Sequence, residues 1–328
     1  MAQVQQEQDE HIAALVRQLH GTSGKSQGLF AMRKDFKMHR IMLDGYFKYF
    51  GKTLADDEEL CTEQTTRDYT TMVRMFYNLA TDFYEYGWCQ SLHFCRFSHG
   101  EPFLQAIARM SFLDVGCGLG GPVREIAKFT DAHITGLNNS EYQIDKARRY
   151  VAQCGLEDKV SFATLHAPTL KAVYSGIYRV LKPGAVFGVH EWLLTEYFDH
   201  SDAEHRRLAL DVQQGNGIAK LFTVQQGLAA MKAAGFEILH HEDLAQRPAV
   251  AAWWYPLSVS LWNARRKWDR FVTHYLTNLL EAWKVLPKGT NAVATSLSVA
   301  GDALVEAGEK DIFTPMYLML GRKPAGRG

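Results

Sequence analysis

The stretch Ser111-Phe-Leu-Asp-Val-Gly-Cys-Gly-Leu-Gly-Gly-Pro122 constrains this chain more than any other. Its apolar start predicts a short strand over Phe112 to Val115. Gly116, Gly118, Gly120 and Gly121 follow, and Val123 to Phe129 then reads as an amphipathic helix with Pro122 in its first turn. Strand, glycine turn and helix together offer close backbone approach and the unpaired N–H groups of a helix N-terminus. A nucleotide-like ligand is the leading reading, because a turn that binds nothing rarely needs four glycines. The spacing also fits the dinucleotide pattern, which is weak alone. Two features oppose NAD. Asp114, at the strand end, would repel a pyrophosphate but could hold an amino-acid ammonium through ordered water. The next strand ends in Asn138-Asn139, where a dinucleotide ribose wants an acid.

At 328 residues the chain can bury a large core. Its 36 basic and 36 acidic residues cancel, so no electrostatic case for nucleic acid exists. Cysteines 61, 89, 95, 117 and 154 form no C-x-x-C pair, which suits a reducing compartment. Cys89, His93 and Cys95 lack the second pair that a zinc site needs, and no metal is expected. The Gln- and Glu-rich start shows no signal peptide, and the apolar run Ala249 to Trp262 is too short to span a bilayer. A soluble or peripheral protein is expected.

In chain order, residues 1–27 read as a polar arm and Met32 to Phe50 as a basic, aromatic segment. Glu63 to Ala80 has helical spacing, and Phe83 to Phe94 is dense in aromatics. Strands are expected at His133–Leu137, Val160–Phe162, Ala185–His190 and Gly235–Ile238, and helices after Ser140 and over Thr169–Leu181 and Thr223–Ala234. Such alternation predicts an α/β fold, a doubly wound Rossmann-like parallel sheet with its ligand at the strands' C-terminal ends. Long aromatic helices and a closing strand, Tyr317 to Gly321, complete the chain. The expected units are an arm (1–45), a helical, aromatic substrate cap (46–110), a ligand-binding core (111–244) and a C-terminal α+β region (245–328).

The segments Leu113-Asp-Val-Gly-Cys-Gly-Leu-Gly-Gly-Pro122, Gly136-Leu-Asn-Asn-Ser-Glu-Tyr-Gln143, Ile177-Tyr-Arg-Val-Leu-Lys-Pro-Gly184, Tyr84-Glu-Tyr-Gly-Trp88, His166-Ala-Pro168 and Ile312-Phe-Thr-Pro-Met-Tyr317 together resemble the sterol 24-C-methyltransferase family. The resemblance implies a class I methyltransferase using S-adenosylmethionine on a sterol side chain, in ergosterol-type sterol biosynthesis. It places Asp114, Gly116, Gly118 and Gly120 at the donor, and Asn138 and Asn139 at its ribose. Tyr84, Glu85, Tyr86, Trp88 and Glu191 fall in the reaction region, and His166 and Trp192 near the sterol. It also implies peripheral attachment at the cytoplasmic face of the endoplasmic reticulum or a lipid droplet, and a homo-oligomer or a sterol-biosynthesis complex.

Those residue types suit the chemistry. A side-chain alkene that attacks a sulfonium methyl becomes a carbocation, which must be stabilised and then deprotonated. Aromatic faces such as Tyr84, Tyr86 and Trp88 stabilise a cation by about 0.5–2 kcal/mol each. Glu85 could add charge stabilisation or take the proton, and this reading is favoured over that of a buried structural carboxylate. For His166 the plainer reading is a helix-entry residue ahead of Pro168. Relative to the family pattern, Phe162 to Pro168 omits a block the size of one strand–helix unit. Two rivals therefore stay open, a non-catalytic relative that binds sterol or a partner enzyme, and an NAD-linked oxidoreductase. If the sheet closes over the gap, Ala185–Val189 should pair with Phe112–Val115 and bring Glu191 to the cleft edge. Ala252-Trp-Trp-Tyr-Pro-Leu257 is the expected membrane-facing aromatic patch.

Overall fold

The protein is described here by a computed structural model covering residues 19, 34–49, 69–87, 90, 115–129, 134–164, 169–249, 251–255, 257–258 and 264–325. Helix α1 (Phe36–Phe47) starts at Asp35, whose side chain accepts the Met38 N–H at 2.9 Å. Its buried side chains include Met38, Met42, Leu43 and Tyr46, one stripe at helical spacing. Helix α2 (Tyr69–Gly87) buries Met72, Val73, Phe76, Leu79, Ala80 and Phe83 at the same period. The two stripes pack together and against Leu286, Val293 and Ala294 near the far end of the chain. The expected arm, cap and C-terminal region thus share one core.

Helix α3 (Gly121–Phe129) leads to β1 (Ile134–Asn138), α4 (Glu141–Gln153, capped by Ser140) and β2 (Val160–Thr164). β1 and β2 pair in parallel, with Ile134 opposite Val160 and Asn138 opposite Thr164. Next come α5 (Leu170–Val180), β3 (Val186–Leu194), α6 (Ala203–Asn216), β4 (Phe222–Thr223), α7 (Val224–Ala233) and β5 (Glu237–Asp243). The chain closes with α8 (Ala264–Ala282), α9 (Thr290–Glu309) and β6 (Phe313–Arg322). Strand order in this second sheet is β4-β3-β6-β5, with β6 antiparallel to both its neighbours. Phe187, Val189 and Leu193 join the apolar cluster beside α5 and α7, whereas Trp192 and Leu194 join the one beside α6 and α9.

Several expectations need correction. The sheet is mixed rather than wholly parallel, because β6 inserts antiparallel between β3 and β5. The helix predicted to stop at Ala80 runs on to Gly87, since Phe83 continues its buried stripe. Val115 bridges Leu137 of β1, and no ladder to Ala185–Val189 exists at this residue. The cause is local: the Leu137 carbonyl accepts both the Gly116 and Cys117 N–H groups, at 2.7 and 2.9 Å, and turns the chain away directly after Val115. Phe112, Leu113 and Asp114 lie outside the described residues, as do Trp88, Cys89, His93, Cys95 and His166. Within the patch Ala252–Leu257, Trp253 and Leu257 are buried and Trp254 and Tyr255 half-buried, so it is not an exposed aromatic surface over its described residues. Trp253 is buried against Phe313, ring centroids 5.8 Å apart, and both tryptophans crowd the bare backbone of Gly308.

Candidate active site

The glycine turn divides into ligand-facing and packing positions. Gly116 has φ +93°, which side-chain-bearing residues rarely adopt, and a Cβ there would meet no atom within 4 Å. Gly116 is exposed, so its backbone borders open space that a ligand could approach. Gly120 has a different task. A Cβ at Gly120 or Gly136 would come within 2.9 or 2.8 Å of the Phe162 ring, so both glycines seat that ring between β1 and β2. Asn138, buried at the end of β1, donates to the Gly118 carbonyl at 3.3 Å and to Gln143 Oε1 at 2.7 Å. Its own carbonyl oxygen accepts the Asn139 N–H at 2.8 Å. Asn138 therefore shapes the turn, and Asn139, only half-buried beside it, is the freer of the two to meet a ligand.

Tyr84, Glu85 and Tyr86 lie on the last turn of α2, where successive residues fan around the axis instead of converging. The Tyr84 hydroxyl lies 3.3 Å from the Gly215 carbonyl and from Asn216 Oδ1, at the C-terminus of α6. Burial pushes its phenol well above the ordinary range. Tyr86 is 48% exposed. Glu85 turns towards α4, where Lys146 Nζ lies 2.5 Å away and the Tyr150 hydroxyl donates to it. Of the three, only Glu85 faces the half of the molecule that holds the glycine turn.

Around Glu85 the structure assembles groups that sequence reasoning missed. Asp82, fully buried, takes Lys146 at 2.7 Å on one oxygen, together with the Tyr142 hydroxyl at 2.8 Å, and Lys34 at 3.2 Å on the other. Gln90 links Glu85, at 3.4 Å, to the Arg124 guanidinium, at 3.1 Å. Arg124 also donates to the Leu119 carbonyl at 2.7 Å and lies over the Tyr150 ring. A continuous polar chain thus runs from the glycine turn through α2 to Lys34, two residues before α1. One sequence signal could have found it: Lys146 sits on the buried face of α4 among Ile144, Ala147, Tyr150 and Val151. A cation there needs a buried carboxylate.

Glu191 lies inside β3, not after its end, because the strand runs on to Leu194. Its carboxylate accepts the Tyr174 hydroxyl at 2.7 Å, from α5. Burial pushes the Glu191 carboxyl up to about 7, with the Tyr174 hydrogen bond opposing. It is partly exposed, and it shares a cluster of neighbours with Val115, the residue that leads into the glycine turn. Such a carboxyl can hold or release a proton near neutrality. Trp192 faces the other side of the sheet and packs edge-on against Phe313, centroids 5.5 Å apart.

Residues 113–189 match the methyltransferase domain family, and residues 263–325 match the sterol methyltransferase C-terminal family. Among solved structures, the mycolic acid cyclopropane synthase CmaA1 superposes with TM-score 0.52 at 17% identity, covering 76% of this chain and 98% of that one. A geranyl diphosphate C-methyltransferase from Streptomyces coelicolor, solved with S-adenosyl-L-homocysteine, gives TM-score 0.50 at 13% identity over 80% and 99%. These two carry the fold alone. The sterol 24-C-methyltransferase erg6 of Aspergillus fumigatus is 46% identical over 376 aligned positions, covering 99% of this chain and 100% of the relative. The Candida albicans sterol 24-C-methyltransferase is 39% identical over 99% of this chain and 97% of its own. Identity of this order over essentially the whole of both chains makes the protein a member of the sterol 24-C-methyltransferase family.

Proposed function

We propose that this chain transfers a methyl group from S-adenosylmethionine to C-24 of a sterol side chain. The observation that carries the reading is the full-length likeness to sterol 24-C-methyltransferases, joined to an exposed glycine backbone at Gly116 beside a helix N-terminus. The open space there fits an extended nucleoside ligand, because a side chain at Gly116 would occupy the space that such a ligand needs. When bound, S-adenosylmethionine supplies an electrophilic sulfonium methyl. Gly116 and Gly118 let the backbone approach the donor, and Asn139, with Asn138 bracing the turn, meets its ribose. Asp114 anchors its amino-acid end. Glu85, held by Lys146 and Tyr150, keeps a negative charge near the reacting centre, where it favours a positively charged sterol side chain over a neutral one. Glu191, with a carboxyl near neutrality, accepts the proton that leaves. Tyr84, Tyr86, Trp88, His166 and Trp192 flank the sterol path, and the protein works at a membrane or droplet surface, where its substrate resides.

Incubation with methyl-labelled S-adenosylmethionine and a sterol bearing a side-chain alkene tests this, with label expected in a product one methyl-derived carbon heavier. Calorimetry should show binding of S-adenosylmethionine in preference to NAD, and Gly116→Val should abolish it. Sterol binding without label transfer would leave a sterol-binding relative instead.

A further inference from the structure

Helix α8 and the turn after it carry large apolar side chains that are strongly exposed. Phe271 is 63% exposed, Tyr275 64% and Trp283 67%, with Val272 and Val285 also exposed. Phe271 and Tyr275, four residues apart, stand on one face and stack with ring planes 13° apart. Trp283 lies just past the helix end and is followed by Lys284, whose left-handed backbone (φ +56°) closes the helix. An aromatic row of this kind costs solubility unless something apolar meets it.

The charge around this row is one-sided. Between Ala264 and Lys288 the sequence has six basic residues, Arg265, Arg266, Lys267, Arg270, Lys284 and Lys288, against Asp269 and Glu281, although the whole chain is neutral. Glu281 is occupied internally: its carboxylate accepts the N–H groups of Gly289 at 3.1 Å and Asn291 at 2.5 Å, at the start of α9. Lys284 and Lys288 are exposed. Phe, Tyr and Trp beside cations form the pattern that settles at the headgroup level of an anionic bilayer, where amphipathic rings sit at the water boundary and each cation adds attraction.

We infer that the face of α8 bearing Phe271 and Tyr275, extended by Trp283, Lys284 and Lys288, is the surface on which this protein docks to an anionic lipid bilayer. The inference rests on the sterol-methylation reading for the reason a bilayer is approached, since a sterol is collected from lipid. It places the membrane contact on α8 instead of on Trp253, which is buried, and Trp254, which is half-buried. Among the described residues no helix is long and apolar enough to cross a membrane, so the docking is lateral.

Flotation with phosphatidylcholine vesicles, pure or containing roughly 30% phosphatidylserine, tests this. Full-length protein should float with the anionic vesicles and less with the neutral ones. A Phe271→Ser/Tyr275→Ser pair, and separately Trp283→Ser, should lower the floated fraction about tenfold, and Lys284→Glu/Lys288→Glu should remove the preference for anionic lipid. All these side chains are exposed, so unchanged circular dichroism melting is expected. Methylation of detergent-dispersed sterol should persist in every variant, while methylation of vesicle-embedded sterol falls. The inference is overturned if wild-type protein fails to float, or if the aromatic variants float as well as wild type. It is equally overturned if size exclusion shows a wild-type dimer that these variants convert to monomer, since a second copy would then own the face. Protein that floats but transfers no methyl group would refute the functional reading and leave the docking surface intact.

Discussion

Glu191 and Tyr174 form a pair whose separation in sequence hides their contact: β3 and α5 bring the two together at 2.7 Å. The signs of their titration are fixed. Burial favours the neutral acid and raises the carboxyl from 4.5 to about 7, while the Tyr174 hydroxyl favours the anion and holds that rise back. If Glu191 accepts the departing proton, turnover should climb with pH and level off above about 7. Glu191→Gln should remove that limb and lower turnover by about a hundredfold, and Tyr174→Phe should move the midpoint upward. A pH–rate series on the three proteins decides it, and an unshifted midpoint in Tyr174→Phe would contradict the assignment. The stability effect has the opposite sense. Folded Glu191 keeps its proton between 4.5 and about 7 while the unfolded chain has lost it, so this residue's contribution falls by roughly 3 kcal/mol as pH rises through that window. Tyr84 shows what sequence leaves open at this scale, for the sequence states its aromatic type and no more. Its hydroxyl was not legible as a partner for the last carbonyls of α6, because that contact depends on how α2 crosses α6.

Helices α2 and α4 are joined by buried charge instead of by an apolar ridge. Asp82 and Lys146, with side chains 0% and 6% exposed, sit 2.7 Å apart, and the same lysine holds Glu85. Removing one member of a buried pair strands the other without solvent and costs about 3–5 kcal/mol, whereas replacing both by apolar groups of similar size is often neutral. The expected result is therefore a loss in chemical denaturation midpoint for Asp82→Leu alone and for Lys146→Met alone, and in the double variant a loss smaller than their sum, since Lys34 and Glu85 still lose a partner there. Additive losses would mean that the pair is not a unit. The element boundaries that sequence located best were those with side-chain caps. Ser140 accepts the Gln143 N–H, Thr169 the Ala172 N–H, and Thr223 forms a capping box with Gln226. Where no cap marks an end, as at Ala80 in α2 or His190 in β3, the element ran further because buried residues continued the pattern.

At the scale of the whole molecule the sheet formed by the described residues is in two parts, β1-β2 and β4-β3-β6-β5, with Val115 bridging to the first and packing against the apolar cluster of the second. A two-stranded unit is marginal unless packed, so native-state hydrogen exchange should show β1 and β2 amides opening at lower free energy than those of β3 and β6. Uniform protection across both would show instead that the sheet opens as one unit. The alignment with the Aspergillus fumigatus relative spans 376 positions and this chain has 328 residues, so at least 48 aligned positions face gaps here. Sequence alone determined the glycine turn, the alternation of strand and helix, and the family, because turn chemistry, capping and hydrophobic period are local properties of the chain. Only tertiary structure decided that β6 enters antiparallel, that Trp253 is interior while Phe271 and Tyr275 are exposed, and that Glu85 meets Lys146 and Glu191 meets Tyr174. Each of these depends on which faces of distant elements meet, and the period of a pattern fixes a face without naming its partner.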